Sequence, residues 1–235
     1  MDATWLYDER RQVGTDYADE SNARAYDANV QQQRAIPHEV DAAAQALSLT
    51  ADSIVWEIGT GTGEIALGLA ARCRQVYASD VSPAMLRLAR QKATERGISN
   101  VIFEEGGFLS GFTPPWPVHG IISQLTLHHL PDFWKLQALR RIREYMKPNG
   151  ILFMRDIVFP SGVPDYNAYF SGMIAAIRAS GGDKLADQTV AHIREEYSTF
   201  AWVMEEMLRQ AGFNIINIQH QRFTTTYTCL ARQHP

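Results

Sequence analysis

The stretch Ile54–Ala70 reads IVWEIGTGTGEIALGLA and decides the fold of this chain. An apolar run comes first, a turn with glycine at every second position follows, and a second apolar run has helical spacing. Strand, glycine turn and helix in this order open a nucleotide-binding βαβ unit. Glycine at Gly59, Gly61 and Gly63 allows a tight turn and lets a ligand lie against the backbone.

The turn departs from the patterns that bind phosphate chains. The dinucleotide pattern G-x-G-x-x-G requires glycine where this chain has Glu64, and a P-loop requires a Gly-Lys-Ser/Thr that does not follow here. Carboxylates at Glu57 and Glu64 would repel a pyrophosphate. The sequence therefore predicts a nucleoside-like ligand that is uncharged at its middle or cationic.

A further acidic residue, Asp80, ends the next predicted strand, Gln75–Asp80. Asp80 follows Gly63 at about the spacing at which a carboxylate accepts hydrogen bonds from ribose hydroxyls. Ser82 and Pro83 then suit the N-cap and the first position of a helix. These features predict a ribose at the end of the second strand.

Four ordered blocks of the chain resemble the class I S-adenosylmethionine-dependent methyltransferases. The blocks are 55–63 (VWEIGTGTG), 78–86 (ASDVSPAML), 121–130 (IISQLTLHHL) and 139–152 (LRRIREYMKPNGIL). The resemblance implies an α/β fold with a Rossmann-like, doubly wound sheet of seven strands, mostly parallel with one antiparallel strand. It also implies S-adenosylmethionine as cofactor and S-adenosylhomocysteine as product. The sulfonium and ammonium of this cofactor suit a carboxylate-flanked turn.

The resemblance implies a set of cofactor-binding residues around the glycine turn. The three glycines would line the methionine part, Asp80 would bind both ribose hydroxyls, and Met85 would pack near the adenine edge. The predicted set is Tyr26, Glu57, Gly59, Thr60, Gly61, Gly63, Asp80, Val81, Met85, Gly107, Phe108 and Gln124.

One position departs from the family pattern. An acidic residue that reads the adenine amino group is usual where this chain has Gly107. Either backbone groups or a neighbouring residue replaces that contact. Phe108 either covers the adenine face or belongs to the core.

Candidate catalytic residues follow the fourth and fifth predicted strands. His128 and His129 come after the fourth strand and Asp156 ends the fifth, and a histidine can act as a base near neutral pH. The alternative is that the histidines support the turn before Pro131 and that Asp156 has a structural role. Displacement at a sulfonium methyl mainly requires positioning, so a base matters only if the acceptor must lose a proton.

Predicted substrate contacts come from the N-terminal region and from the strand and segment near residues 155–169. The residues are Tyr17, Arg155, Tyr166 and Tyr169, with an ion pair or core packing as the alternative roles. No metal site is expected, because Cys73 and Cys229 are far apart and form no metal-ligand pattern.

Composition predicts one domain, because 235 residues with 46% apolar content provide one ample core. We expect a helical N-terminal cap over 1–50 and a Rossmann-like methyltransferase domain over 51–235, with a cover insertion at about 159–193. A net charge of −4 and the lack of a large basic cluster argue against a nucleic-acid partner. The lack of a long apolar run argues against a membrane partner and favours a cytoplasmic protein. The sequence does not specify the oligomeric state, and a homodimer is one possibility.

The pattern predicts the following elements. Strands are expected near 53–58, 75–80, 100–104, 119–124 and 150–157, helices near 63–72, 83–96, 132–147 and 198–210, and a hairpin over 214–219 and 224–230. Gly97, Asn149-Gly150 and Gly212 are expected to end helices.

The predicted function is transfer of the methyl group of S-adenosylmethionine to a small-molecule acceptor. The alternatives are a same-fold enzyme that uses this cofactor for another reaction, a non-catalytic cofactor-binding module, and a nucleotide-dependent oxidoreductase, which Glu64 disfavours.

Overall fold

The computed structural model of the chain describes residues 5–11, 23, 26–27, 34–221 and 223–232. In that part of the chain, six α-helices flank a sheet of eight strands. The helices are α1 (Ile36–Ala46), α2 (Glu64–Leu69), α3 (Pro83–Glu95), α4 (Asp132–Glu144), α5 (Tyr166–Glu195) and α6 (Ala201–Gln210). The strands are β1 (Ile54–Ile58), β2 (Gln75–Asp80), β3 (Val101–Glu105), β4 (Val118–Gln124), β5 (Met146–Phe159), β6 (Thr199–Phe200), β7 (Phe213–Gln221) and β8 (Thr224–Ala231).

The sheet runs in the order β3-β2-β1-β4-β5-β8-β7, and the two-residue β6 pairs with the end of β5. The pairs among β1 to β5 are parallel, whereas β8 runs antiparallel to both β5 and β7. This confirms the mostly parallel, Rossmann-like sheet with one antiparallel strand. The expected count of seven strands is wrong, because the short strand β6 is an eighth. The order reverses between β1 and β4, which opens a crevice beyond their carboxyl ends.

Apolar layers cover both faces of the sheet. Side chains alternate along a strand, so the fully buried neighbours Val55 and Trp56 belong to different layers. The layer with Val55 includes Leu69 of α2, and the layer with Trp56 includes Leu139 of α4 and Leu208 of α6. Helices on both sides bury β1 from Val55 to Ile58, and its glycine turn therefore starts from a rigid strand.

Most of the predicted helix ends are confirmed. Gly97 and Gly212 follow α3 and α6 with φ values of +65° and +89°, the left-handed conformation that suits glycine. Asn149-Gly150 does not end a helix. It lies inside β5, because α4 already ends at Glu144 and the strand begins at Met146.

The segment after β5, where the sequence shows no regular rhythm, contains the longest described helix. The 30 residues of α5 bend at Gly182, whose φ and ψ are 80° and 175°. Of the α5 residues, only Ile177 and Ala186 are buried, so the helix has no continuous apolar stripe for the sequence to reveal. Neither α5 nor another described helix has an apolar stretch that would let it cross a bilayer.

The predicted antiparallel hairpin is confirmed as β7 and β8, and β7 forms one edge of the sheet. The register between the two strands shifts between Ile215 and Asn217, which marks a bulge. Ile216, at the bulge, is 58% exposed.

Gly63 provides a test of how tightly the turn packs. Its φ is +83°, and an added Cβ would lie 2.9 Å from Ala89 Cβ and 3.1 Å from the Phe103 ring. We expect Gly63→Ala to lower the free energy of unfolding by about 3 kcal/mol, from backbone strain together with overpacking. Urea unfolding measures the loss.

Gly97→Ala is the matched control, because Gly97 has a φ of +65° but no atom within 4 Å of an added Cβ. Its expected loss is about 1 kcal/mol, from backbone strain alone. Equal losses for the two variants would contradict the close packing at Gly63.

Candidate functional site

The glycine turn after β1 uses its own backbone groups to bind the end of β2. Gly59, Gly61 and Gly63 have φ values of +73°, +55° and +83°. The N–H groups of Gly59 and Thr60 donate to the carbonyl of Ser79 at 2.8 and 3.0 Å, and Gly63 N–H donates to Thr60 at 2.9 Å. These N–H groups are satisfied within the protein, so the turn offers few donors to a phosphate chain.

Asp80 fixes both the turn and the start of α3. Its Oδ2 accepts from Gly61 N–H and its Oδ1 from Ser82 N–H, both at 2.8 Å. Burial raises the pKa of Asp80, and these backbone donors oppose that shift. Ser82 is the predicted N-cap, because its Oγ accepts from Met85 N–H at 3.2 Å. The Asp80 carboxylate is therefore held in one orientation at the crevice.

A cavity lies beside the turn, and most of the predicted cofactor-binding residues line it. From that set the cavity contains Tyr26, Gly59, Gly61, Asp80, Val81, Met85, Gly107, Phe108 and Gln124. His129 also lines it, together with Glu9, Ile58, Gly106, Leu125, Thr126 and Leu130. Phe108 is a wall of this cavity and a buried member of the core, which agrees with the core alternative, and its contact with the adenine face remains a prediction.

Glu57, Thr60 and Gly63 are not among the cavity walls. The Glu57 carboxyl is buried behind the turn, where Thr60 Oγ1 donates to it at 2.7 Å. Desolvation raises the pKa of Glu57 to about 8, so this group is mostly protonated at neutral pH in the cofactor-free protein. The predicted direct role of Glu57 beside a cationic ligand remains a prediction.

Glu64 does not face the ligand side of the turn. Its carboxylate pairs with Lys92 at 2.8 Å and with Arg96 at 2.9 Å, both at the C-terminal end of α3. Burial acts to raise its pKa, but the hydrogen bonds from Arg96 and Lys92 lower it overall. The expectation that Glu64 helps to accommodate a cationic ligand is therefore wrong, because α3 supplies its counter-ions.

Two buried polar atoms at the cavity have no hydrogen-bond partner among the described residues: Gln124 Nε2 and His129 Nδ1. Leaving a buried donor unsatisfied costs about 1–3 kcal/mol. A ligand with polar atoms at these points would remove that cost. The Asp80 carboxylate, the apolar side chains of Val81 and Met85, and the unpartnered Nε2 of Gln124 fit a ribose, a flat base and an amino-acid tail, respectively.

Arg34 and Glu39 are residues of this region that the sequence analysis missed. Arg34 donates to Gln124 Oε1 at 2.9 Å and pairs with Glu39, which accepts from Arg155 Nη1 at 2.8 Å. Arg155 lies in a second, polar cavity of about 640 Å³ that shares Gln124 with the first. Its ion pair with Glu39 agrees with the alternative considered for Arg155, and its substrate role remains a prediction.

Two of the predicted substrate tyrosines, Tyr166 and Tyr169, do not line either of these cavities. The Tyr166 ring lies 5.5 Å from that of Phe200, and the Tyr169 ring lies 5.3 Å from that of Phe170. Both tyrosines belong to an aromatic cluster at the start of α5. Tyr17 lies outside the described residues.

His128 is held between two carboxylates. Its Nδ1 lies 2.5 Å from Asp156 Oδ1, and its Nε2 lies 3.2 Å from Glu196 Oε2, which also pairs with His192. Burial alone would lower the pKa of His128, but Asp156 and Glu196 raise it to about 9. The same interactions lower the pKa of both carboxyls. His128 is thus an imidazolium at neutral pH and is not poised to accept a proton.

His129 differs from its neighbour in both charge and access. Its ring centroid is 4.4 Å from that of His128. Burial and the His128 charge lower its pKa to about 4, so the ring is neutral. Of the three predicted catalytic residues, His129 is the one that lines the cavity.

The same cluster has metal-ligand geometry. Ligand atoms of His128, His129 and Glu196 lie within 4.8 Å of one another. The two carboxylates already pair with both nitrogens of His128, so a metal would have to displace a proton to bind there. Glu196 and His192 come from the far end of α5 and its cap, a proximity that no local sequence pattern signals.

The raised pKa of His128 gives a pH prediction. A histidine whose pKa is higher in the folded state contributes stability that is complete below the unfolded value of 6.5 and is lost as the pH rises through about 9. Over this range we expect the free energy of unfolding of the wild type to fall more than that of His128→Asn, by on the order of 2 kcal/mol.

Urea unfolding at a series of pH values measures this difference. His220→Asn, at an exposed histidine of β7, is the control and should keep the wild-type slope. A wild-type slope no steeper than that of His128→Asn would show that the pair with Asp156 does not hold the proton.

Comparisons with known proteins agree with this geometry. A family model described as a methyltransferase domain matches residues 55–150. An uncharacterized methyltransferase of Geobacillus kaustophilus (strain HTA426) is 30% identical over 217 residues, which cover 90% of this chain and 95% of that protein.

Solved structures share the fold. A SAM-dependent methyltransferase from Aquifex aeolicus matches with a TM-score of 0.62 at 18% identity, over 91% of this chain and 98% of that chain. Magnesium protoporphyrin IX methyltransferase from Synechocystis PCC 6803, solved with bound SAH, matches with a TM-score of 0.59 at 18% identity, over 84% and 83% of the two chains. The chain belongs to the class I S-adenosylmethionine-dependent methyltransferases and uses that cofactor.

Proposed function

We propose that this methyltransferase transfers the methyl group to a small-molecule acceptor. The observation that carries the proposal is one cavity that joins Asp80, the glycine turn, the unpartnered Nε2 of Gln124 and the neutral ring of His129. The two ends of this cavity offer different chemistry. Asp80 and apolar side chains lie at the β2 end, and polar atoms without partners lie at the β4 end.

When bound, S-adenosylmethionine supplies a methyl group on a sulfonium, which is already an activated leaving group. The protein then has to orient the acceptor and exclude water. His129 Nδ1 is buried and has no partner among the described residues, so it can form a hydrogen bond with the molecule that accepts the methyl group. With a pKa of about 4, His129 is a weak base, and its proposed role is positioning.

The size of the acceptor follows from what lines the cavity. Glu9 and Tyr26, two residues that precede the sheet in sequence, both line the cavity, so the N-terminal region as well as the strand ends contributes to its wall. A nucleic-acid acceptor would require an open, basic groove, and the chain has a net charge of −4. Both features favour a small molecule.

The alternatives differ in their products. An enzyme that uses the cofactor for another reaction would consume it without methylating an acceptor, and a binding module would hold it without turnover. Mass analysis of the products, with a panel of small nitrogen, oxygen, sulfur and carbon nucleophiles, separates these outcomes. An NADH titration tests the dinucleotide alternative, which we expect to give no binding because the turn N–H groups are already used.

Asp80→Ala tests the cofactor site. Hydrogen bonds to a charged group contribute about 1.5–3 kcal/mol each, so losing two of them predicts an affinity for S-adenosylhomocysteine that is weaker than the micromolar value expected for the wild type by a factor of about 100 or more. Isothermal titration calorimetry measures both constants.

Glu64→Gln is the matched control, since this carboxylate lies one residue beyond the same turn but pairs with Lys92 and Arg96. It should bind like the wild type. No heat from the wild-type protein, or an equal loss in the two variants, would contradict the proposed site.

A further inference from the structure

We propose that Glu9 supplies the carboxylate that reads the adenine amino group, in place of a side chain at position 107. The proposal rests on the proposed cofactor site and adds to it a residue from the N-terminal strap, which is defined here as residues 5–11. Glu9 lines the same cavity as Asp80, and it belongs to no motif that the sequence offers.

The Glu9 carboxylate is bound to the loop that follows β3. Leu109 N–H donates to its two oxygens at 3.0 and 3.1 Å, and Ser110 Oγ donates to Oε1 at 2.6 Å. A carboxylate accepts about four hydrogen bonds. One N–H and one O–H leave acceptor capacity on Oε2, the oxygen that Ser110 does not contact.

Gly107 is shaped to receive this carboxylate. A Cβ built at Gly107 would lie 2.4 Å from Glu9 Oε2 and 2.6 Å from its Cδ. The φ of Gly107 is not in the left-handed region, so the backbone does not demand glycine here. With Glu9 in this position, a side chain at 107 would overlap its carboxylate. The strap carboxylate thus occupies the space that a side chain at 107 would fill.

The surroundings of Glu9 suit the edge of an adenine. Asp80 is the proposed ribose contact, and Val81, Met85 and Phe108 provide apolar walls of the same cavity that Glu9 lines. A flat base lying against such walls presents its exocyclic amino group, which is a donor, at the rim. Glu9 is an acceptor-only group when ionised, which matches that donor.

Contacts outside the cavity hold the strap in place. Trp5 stacks on Trp134 with ring centroids 6.0 Å apart, and Tyr7 OH donates to the carbonyl of His129 at 3.3 Å. Arg10 pairs with Glu105 at 3.0 Å. The position of Glu9 is therefore fixed from both sides along the chain.

The test compares S-adenosylhomocysteine with S-inosylhomocysteine, in which a carbonyl oxygen replaces the amino group. Calorimetry should show the wild type preferring the adenine compound by roughly 30-fold, since a specific base contact discriminates by about 1–3 kcal/mol. Glu9→Gln can present an N–H to the carbonyl, so its preference should fall below about 3-fold. Glu9→Ala should lose the preference as well.

Two further variants sharpen the test. Glu105→Gln removes an anchor of the strap without touching the cavity, so it should keep the wild-type preference. Gly107→Asp in the Glu9→Ala background should restore part of the preference, because the two positions serve the same space.

If Glu9→Gln and Glu9→Ala keep the wild-type preference for the adenine compound, even with an equal loss of affinity for both compounds, the inference is overturned. Glu9 would then only hold residues 5–11 against the loop after β3. Thermal unfolding without ligand confirms that each variant is folded. Failure of the wild type to bind either compound would overturn the proposed function itself, and the inference with it.

Discussion

The hydrogen bond from Gly61 N–H to the Asp80 carboxylate, 2.8 Å long, is the contact on which the site depends. It joins the turn after β1 to the end of β2, and the carbonyl of Ser79 takes two more N–H groups of the same turn. One carboxylate thus shapes the turn and offers its remaining lone pairs to a ribose. Because the N–H groups of the turn already donate to the neighbouring strand, the turn suits a nucleoside without phosphates.

The parts of the structure that the sequence predicted are those with local causes. The strands and the turn follow from apolar runs, from glycine with positive φ and from the cap at Ser82, all within a few residues of each other. Helix α5 has no such local signal, because only two of its residues are buried and its apolar residues do not recur at helical spacing. No local pattern indicates the position of Glu9, because its partner, Leu109, lies 100 residues away.

The charges of the site could not be predicted from residue types. The sequence predicts that Glu57 is an ionised carboxylate beside a cationic ligand, yet burial raises its pKa to about 8. His128 looked like a base, yet the carboxylates of Asp156 and Glu196 raise its pKa to about 9, and its charge helps to keep His129 neutral. These assignments depend on burial and on partners from distant parts of the chain, which only the folded structure specifies.

The bulge between Ile215 and Asn217 has a consequence for the chain as a whole. β7 is nine residues long and lies at the sheet edge, where a strand exposes a row of backbone groups that another polypeptide can join. The extra residue interrupts the regular spacing of that row and increases the local twist. An incoming strand would have to match an uneven ladder, and the bulge therefore protects this border against edge-to-edge aggregation.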